Sequence, residues 1–269
     1  MLGKRIFTVL IGLPIAIFIV LQGGLTFLIT LGVLSLIGLH EFYIAAAKKR
    51  LPVHIVGYAF IPVYYYFVMT SGDPLYLLLT CAALLLVTLV CLVLFYKTVN
   101  FMDCAVTIFG FYYIPVLFSF AYLAREYHLG SFFVWLIFIC AWGSDTGAYV
   151  FGRLFGKHKL APSLSPNKTI AGAIGGVLTA TLLAFAYGTI MMQFLLIDGR
   201  LPIVMICTIA GVMGSIFSQF GDLAASAIKR HSDIKDFGKI FPGHGGVMDR
   251  FDSMLFTAPV VFGLMWFLV

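Results

Sequence analysis

Long runs of apolar residues, separated by short polar segments, dominate the pattern of the chain. Nine of these runs approach the roughly 20 residues that an α-helix needs to cross the hydrocarbon core of a bilayer. They cover residues 1–21, 25–47, 54–70, 75–95, 106–123, 131–151, 170–195, 201–228 and 247–269. Pro62 and Pro115 interrupt the third and fifth runs, which weakens those two predictions. The pattern predicts an all-α polytopic membrane protein of about nine transmembrane helices, forming a single membrane domain.

The basic residues alternate with the predicted spans in a way that indicates an orientation. If the N-terminus is cytoplasmic, the segments on that side hold all but two, Arg125 and Arg200, of the 17 Lys and Arg residues. Cytoplasmic segments of membrane proteins carry such an excess of positive charge. The first run follows Lys4 and Arg5 but lacks a small-residue cleavage site, so we expect a retained span rather than a signal peptide. The N-terminus is predicted inside and the C-terminus outside.

Composition excludes a soluble globular domain. Hydrophobic residues make up 62% of the chain and charged residues 10%, whereas soluble domains have about 25% charged residues. The net charge of +6 would suggest a nucleic-acid partner for a soluble protein. Here it indicates loops beside anionic lipid, and we expect no nucleic-acid partner. The five cysteines are scattered through apolar runs without a CxxC pair, which favours buried thiols over disulfides or zinc.

The main polar segment of the chain is residues 226–252, SAIKRHSDIKDFGKIFPGHGGVMDRFD. Its charged side chains mix both signs and are Lys229, Arg230, Asp233, Lys235, Asp236, Lys239, Asp249, Arg250 and Asp252. Lys and Arg bind phosphate oxygens, Asp binds hard cations, and glycines allow backbone N–H groups to approach an anion. The segment therefore predicts a site for phosphates and a metal ion.

The spacing in this segment carries a family resemblance. The run S-x-x-K-R-x-x-x-x-K-D-x-G, followed by P-G-H-G-G-x-x-D-R-x-D, resembles the signature of the phosphatidate cytidylyltransferases (CDP-diacylglycerol synthases). Similar blocks lie upstream, from Asp145 to Thr169, so the resemblance covers residues 131–269, the predicted catalytic helices and cytoplasmic loops. Residues 1–130, the N-terminal helices, resemble the family only in being hydrophobic.

The resemblance implies a reaction in which CTP and phosphatidic acid give CDP-diacylglycerol and pyrophosphate, for phospholipid biosynthesis. It implies Mg²⁺ held by Asp222 and Asp249, with a second cation left open, and a homodimer. The residues implied in catalysis are Asp222, Lys229, Arg230, Lys235, Asp236, His244, Asp249, Arg250 and Asp252. Those implied in substrate binding are Asp145, Lys168, Thr169, Ser226, Lys239, Gly243, Gly245 and Gly246. We expect a multi-pass protein of the bacterial inner membrane whose active site faces the cytoplasm.

Two acids, Asp145 and Asp222, lie within or at the ends of apolar runs. A carboxylate in a membrane span is costly and marks a functional site by default. An interhelical hydrogen bond, or a helix end that reaches water, would also explain each of them. Asp222 precedes Ser226 by one helical turn and Lys229 by two, so all three share a helix face at the start of the signature.

The loop predicted at residues 151–169 carries four basic residues and no acid. Contact with lipid headgroups is one interpretation, and a wall that gathers anions beside the site is the other. Lys168 and Thr169 precede the seventh predicted helix, whose N-terminus favours phosphate. Many members of the family carry an acid where this chain has Ala171, so no role is assigned there.

Other features suit ordinary roles. The GxxxG spacings, Gly143/Gly147 among them, indicate close helix packing. His231 and His244 have no second His or Cys at ligand spacing, which argues against a histidine metal site, and His244 is expected to contact a phosphate. Glu41, with its neighbour His40, ends a span and is expected to reach the membrane interface.

Two other classes of protein stay open. A secondary transporter is also polytopic with acids in its spans, but it would show an inverted repeat with paired broken helices, which we do not find in the sequence. A CTP-dependent polyprenol kinase is harder to separate by composition, and the K-R-x-x-x-x-K-D and D-R-x-D runs favour the cytidylyltransferase. A CDP-alcohol phosphotransferase would need a D-G-x-x-A-R run, which Asp198-Gly199-Arg200 does not supply.

Overall fold

The computed structural model of the chain describes residues 2–47, 52–70, 73–193, 200–240 and 245–268. These residues form ten α-helices, one π-helical segment and one β-hairpin. The helices are α1 (Leu2–Gln22), α2 (Gly24–Ala47), α3 (Pro52–Thr70), α4 (Pro74–Leu94), α5 (Phe101–Phe111), α6 (Leu117–Glu126), α7 (Gly130–Phe155), α8 (Ile170–Met192), α9 (Arg200–His231) and α10 (Met248–Leu268). The π-helical segment is Tyr112–Val116, and the strands are β1 (Lys159–Ala161) and β2 (Ser165–Thr169).

Within the described ranges, seven helical stretches are long and apolar enough to cross a bilayer. They are Gly24–Ala46, Val53–Thr70, Pro74–Leu94, Phe101–Glu126, Gly130–Phe155, Ile170–Met192 and Ile203–His231. The predicted fold class, an all-α polytopic membrane protein, agrees with these helices. The first and last predicted spans, in α1 and α10, are not among the seven. The count of nine and the orientation of the termini therefore stay predictions.

The fifth predicted span is longer than its apolar run, because α5, the π-helical segment and α6 form one continuous helical stretch. Its start is fixed by Asn100 and Asp103, since the side chain of each accepts the backbone N–H of the other. Such a capping box pairs two N–H groups that the helix itself leaves unpaired. Pro115 has no N–H to donate, and it lies inside the π-helical segment without ending the helix. A π-bulge is a usual way to absorb such an interruption.

The described chain divides into two compact units. The first unit is Met1–Leu123 with His231–Arg250, and the second is Ala124–Arg230 with Phe251–Val269. The chain passes from one unit to the other inside the helices α6, α9 and α10. The prediction of a single membrane domain, with its informative part after residue 130, stays a prediction.

Aromatic side chains with paired polar ends form the core of the first unit. Tyr43 is buried, its hydroxyl donates to the carbonyl of Thr107 at 2.9 Å, and its ring stacks on His54. The hydroxyls of Ser35 and Tyr65 lie 2.8 Å apart in a second buried hydrogen bond. Hydrogen bonds of this kind link α2 to α3 and α5, because a buried hydroxyl without a partner would be costly.

Small residues bring α7 and α8 together in the second unit. A Cβ atom added at Gly143 would lie 3.2 Å from Cα of Ala180, and one added at Gly147 would lie 2.7 Å from the carbonyl oxygen of Gly175. The two helix backbones therefore approach more closely than larger side chains would allow. The interpretation of the GxxxG spacings as packing contacts is confirmed for this pair of helices.

A β-hairpin connects α7 to α8, where the sequence predicted a loop. Strands β1 and β2 are antiparallel, with Lys159 opposite Thr169 and Ala161 opposite Ser165. The N–H of Leu164 donates to the carbonyl of Ala161 at 3.1 Å and closes the turn. The basic segment is therefore held in a defined conformation before α8 begins.

Four of the five cysteines match the predicted burial. All five are free, and four of them, Cys81, Cys104, Cys140 and Cys207, are buried. Cys140 donates its thiol hydrogen to the carbonyl of Ala210 at 3.2 Å, which joins α7 to α9 inside the second unit. These thiols pack as small apolar groups.

Candidate active site

The end of the hairpin positions Lys168 at the start of α8. Thr169 is the N-cap residue of this helix, and its hydroxyl accepts the N–H of Gly172 at 3.1 Å. This bond pairs one of the N–H groups that a helix N-terminus leaves unpaired. The prediction that Lys168 and Thr169 precede a helix is therefore confirmed. Their roles in substrate binding stay predictions.

Lys168 forms an ion pair with Asp222 of α9. The distance from Nζ of Lys168 to Oδ2 of Asp222 is 2.6 Å, and the two side chains are 24% and 34% exposed. A partly exposed ion pair contributes little to stability on its own. Its importance is that a cation and an anion from separate elements meet where a ligand can reach them.

Asp252 is the buried acid of the same unit, with 9% of its surface exposed. Its Oδ1 atom accepts the N–H of Ser253 at 2.8 Å. Asp145, Asp222 and Lys229 lie close enough to Asp252 to interact with it electrostatically. We call the residues that meet here the charged cluster: Asp145, Lys168, Asp222, Lys229 and Asp252.

Gln219 links α9, which carries Asp222 and Lys229, to α7 and α8. Its Nε2 atom donates to the carbonyl of Ala173 at 3.0 Å and to the hydroxyl of Ser144 at 3.3 Å. Ser144 directly precedes Asp145 in α7, and Gln219 lies one helical turn before Asp222 in α9. The hydrogen bonds therefore link α7, α8 and α9 next to the acids, and they help to fix the positions of Asp145 and Asp222.

Asp249 organises a different part of the signature, in the first unit. Its Oδ2 atom accepts the backbone N–H groups of Phe237 and Gly246, at 2.8 and 3.0 Å. The chain can turn toward Asp249 because Gly245 adopts a φ of +87°, which residues with a side chain rarely do. The carboxylate of Asp249 therefore joins the two sides of the signature loop.

Glu41 is a residue of this region that the sequence did not reveal. It is 5% exposed, and its Oε1 and Oε2 atoms accept the N–H groups of Val247 and Met248, at 3.1 and 3.0 Å. The expectation that Glu41 reaches the membrane interface is wrong, because these two amides hold its carboxylate inside the first unit. An acid within an apolar run was the available signal. We call Glu41, Gly246, Val247, Met248 and Asp249 the loop cluster.

The remaining predicted site residues differ in their exposure to solvent. The exposed ones are Arg230, Lys235, Asp236, Lys239 and Arg250, whereas Ser226 is buried in α9. Nε of Arg230 lies 3.5 Å from the carbonyl oxygen of Leu164, close to the turn of the hairpin. Gly243 and His244 lie in the range 241–244, outside the described residues. Their predicted roles in substrate binding and catalysis therefore stay predictions.

The carboxylates present suit a magnesium ion. Among the residues that the structure describes, no group of three or more His, Cys, Asp or Glu side chains could by itself hold a metal ion. Mg²⁺ usually takes only one or two protein carboxylates and completes its shell with water and substrate phosphates. Asp222 already holds a cationic group, the ammonium of Lys168, and Asp252 is near it. This oxygen-only donor set fits a hard cation.

Comparison with known proteins agrees with the resemblance of the signature. Residues 3–268 match the model of the cytidylyltransferase family. The chain is 36% identical over 259 residues to a protein of Staphylococcus haemolyticus and 34% identical over 264 residues to one of Staphylococcus aureus; both are named phosphatidate cytidylyltransferase. Each alignment covers 96% of this chain and 96% of the relative. The chain is an enzyme that belongs to the cytidylyltransferase family, a group of nucleotidyltransferases.

Proposed function

We propose that this chain transfers the cytidylyl group of CTP to phosphatidic acid. A phosphate oxygen of phosphatidic acid would bond to the α-phosphorus of CTP, while the bond from that phosphorus to the oxygen bridging to the β-phosphate breaks. The products are CDP-diacylglycerol and pyrophosphate. The names of relatives that align over 96% of the chain support this pair of substrates. The observation that carries the proposal is the charged cluster, which places lysines and aspartates together among apolar helices.

The main obstacle to this reaction is electrostatic. CTP and phosphatidic acid are both anions, and they must approach closely enough for a phosphate oxygen to reach phosphorus. Lys168 and Lys229 offer positive charge within the charged cluster, so they can bind phosphate oxygens and hold the reacting groups in line. Arg230, Lys235, Lys239 and Arg250 are proposed to bind phosphate as well.

A strong general base is not required. The second pKa of a phosphate monoester is about 6, so the attacking phosphate is already largely a dianion at neutral pH. The charged side chains therefore need only to orient it and to reduce repulsion. This agrees with a site built from lysines and acids.

The proposed Mg²⁺ ligands are Asp222 and Asp249, as the resemblance implies. When bound, the ion would neutralise phosphate charge and help the pyrophosphate to leave. Support for Asp222 comes from its contact with a cationic group, the ammonium of Lys168, and support for Asp249 comes from the two backbone N–H groups that orient its carboxylate. A second cation, and the homodimer, are further parts of the proposal.

The proposed site faces the cytoplasm of a bacterium, from its inner membrane. The relatives are bacterial proteins, and the positive-inside count places both the hairpin segment and the signature on the cytoplasmic side. CTP is available there, while the lipid substrate never has to leave the bilayer. The same count puts the N-terminus inside and the C-terminus outside.

The position of the radiolabel tests the reaction. Purified protein in detergent would receive phosphatidic acid, Mg²⁺ and CTP labelled at either the α- or the γ-phosphate. We expect the α-label in the lipid and the γ-label in pyrophosphate. Diacylglycerol in place of phosphatidic acid is the matched control and should give no labelled lipid. Transfer of the γ-label to a lipid, with phosphatidic acid or a polyprenol, would replace the proposal with a kinase.

A further inference from the structure

The first turn of α10 takes its capping group from a distant helix. The N-terminus of a helix leaves N–H groups without partners, and a polar side chain just before the helix usually accepts one of them. Here the preceding residue, Val247, has no polar side chain. Glu41 of α2 instead accepts the N–H groups of Val247 and Met248 with its two separate oxygens. A negative charge at this end of the helix is also favourable for the helix dipole.

Two glycines of the signature make room for the Glu41 carboxylate. A Cβ atom added at Gly238 or at Gly246 would collide with the oxygens of Glu41. Gly246 was expected to offer its N–H to a phosphate, but that N–H donates to Asp249. In the first unit, these two glycines therefore allow the loop backbone to close around an acid from the N-terminal part of the chain.

The carboxylates of Glu41 and Asp249 together accept the backbone N–H groups of three consecutive residues. The N–H of Gly246 points to Asp249, and the next two, of Val247 and Met248, point to Glu41. The two carboxylates are also close enough to interact electrostatically. Without the hydrogen bonds from Val247 and Met248 to Glu41, the segment before Asp249 could shift. The carboxylate of Asp249 would then shift with it.

We infer that Glu41 is a positioning residue of the enzyme, which fixes residues 245–249 so that Asp249 keeps its working orientation. The inference deepens the proposed function and rests on it. Glu41 acts through the backbone of the signature and need not touch substrate. It also gives α2, within the part of the chain that carries none of the signature, an indirect role in the chemistry.

Two substitutions of Glu41 test this role against a matched control. Glu41→Gln keeps the volume but places an NH₂ group against a backbone N–H donor, and Glu41→Ala removes both acceptors. The control is Asp103→Asn, since Asp103 is also buried and also accepts a backbone N–H at a helix start, but in α5, which carries no signature residue. Each purified variant would be assayed for kcat, the KM values for CTP and phosphatidic acid, and Tm.

We expect kcat to fall about 10-fold in Glu41→Gln and about 100-fold in Glu41→Ala, because small displacements of reacting groups cost this much. Both KM values should stay within about threefold, since the lost contact is one that orients rather than binds. Asp103→Asn should lower Tm and leave kcat unchanged. If the Glu41 variants instead lowered Tm alone, at full kcat, Glu41 would be purely structural. A rise in KM for CTP at unchanged kcat would make it a substrate contact.

A readout without substrate separates this inference from the proposed function. Trypsin cleaves after lysine, and Lys239 is exposed and lies two residues after Phe237, whose backbone N–H Asp249 accepts. We expect native Glu41→Ala protein to be cut after Lys239 faster than both the wild type and Asp103→Asn. Equal cleavage rates would overturn the inference even if the wild type formed CDP-diacylglycerol. A wild type without that activity would overturn the proposed function, and the cleavage rates would still decide the role of Glu41.

Discussion

The acids of the two compact units are held in different ways. In the loop cluster of the first unit, Glu41 and Asp249 accept backbone N–H groups. In the charged cluster of the second unit, Asp222 pairs with the side chain of Lys168, and Asp252 interacts with Lys229. Backbone amides cannot leave a folded chain, whereas a lysine side chain can move to a phosphate. The first arrangement keeps its carboxylates in fixed positions, and the second suits side chains that exchange partners.

The largest loss of activity is expected on substitution of Asp222. Asp222→Asn removes the charge that holds Lys168 and that we propose for Mg²⁺, so kcat/KM should fall at least about 10³-fold, the equivalent of several kcal/mol of transition-state stabilisation. Initial rates of labelled CDP-diacylglycerol formation over a range of Mg²⁺ concentrations would measure it. Asp233→Asn, an exposed acid of the same signature, is the matched control and should keep nearly full activity. A near-normal rate for Asp222→Asn at limiting Mg²⁺ would show that the metal assignment is wrong.

A smaller loss is expected at Lys168. Lys168→Met keeps much of the length of the side chain but leaves Asp222 without its ammonium partner, and it removes one proposed phosphate contact. We expect kcat/KM to fall about 50-fold, because a charge-assisted contact is worth a few kcal/mol at most. Lys168→Arg should keep more activity than Lys168→Met in the same assay. Equal losses in the two variants would mean that geometry, and not charge, matters at this position.

Packing beneath the charged cluster should affect stability more than chemistry. In Gly147→Ala the new Cβ would meet the backbone oxygen of Gly175 and the side chain of Thr179. Overpacking of this kind costs about 1–3 kcal/mol, so Tm in detergent should fall while kcat at low temperature changes little. Gly263→Ala, in α10 of the same unit, has open space around its new Cβ and should not lower Tm. Equal Tm values for the two variants would contradict the tight packing of α7 against α8.

The smallest effect is expected at Thr169. Thr169→Ala removes the hydroxyl that accepts the N–H of Gly172 and should cost about 1 kcal/mol of stability, which Thr169→Ser should largely restore. If the cap is the main role of this residue, kcat/KM for both variants should stay within about threefold of the wild type. A loss above tenfold in Thr169→Ala, with Tm unchanged, would instead favour the predicted contact with substrate.

The apolar pattern predicted the helices well, because a run long enough to cross a bilayer has few other structures available. A proline usually ends a helix, yet Pro115 lies in a π-helical segment that keeps the helical stretch continuous, and its carbonyl accepts the hydroxyl of Tyr65 at 3.2 Å. The hairpin was missed because β1 and β2 are short, and Pro166 lies within the second strand. Local pattern says little about such a small sheet.

The charged residues of the site were found from the signature, but their partners were not. Lys168 and Asp222 were both predicted as site residues, whereas their ion pair depends on how the hairpin meets α9. Glu41 was misread because Lys48, Lys49 and Arg50 follow closely and suggested the membrane interface. Its true partners are backbone amides, which every residue except proline possesses, so no sequence motif marks them.

The wide separation of Glu41 from its partners has a consequence for biosynthesis. The N–H of Val247 belongs to a residue 206 positions later in the chain. At about 5–20 residues per second, α2 is made well before its carboxylate can meet those amides, a delay on the order of 10–40 s. During that time a buried acid in a membrane helix lacks its final partners, which is costly. Chains truncated before α10 would lack these two partners permanently, so we expect them to fold less stably than the full chain.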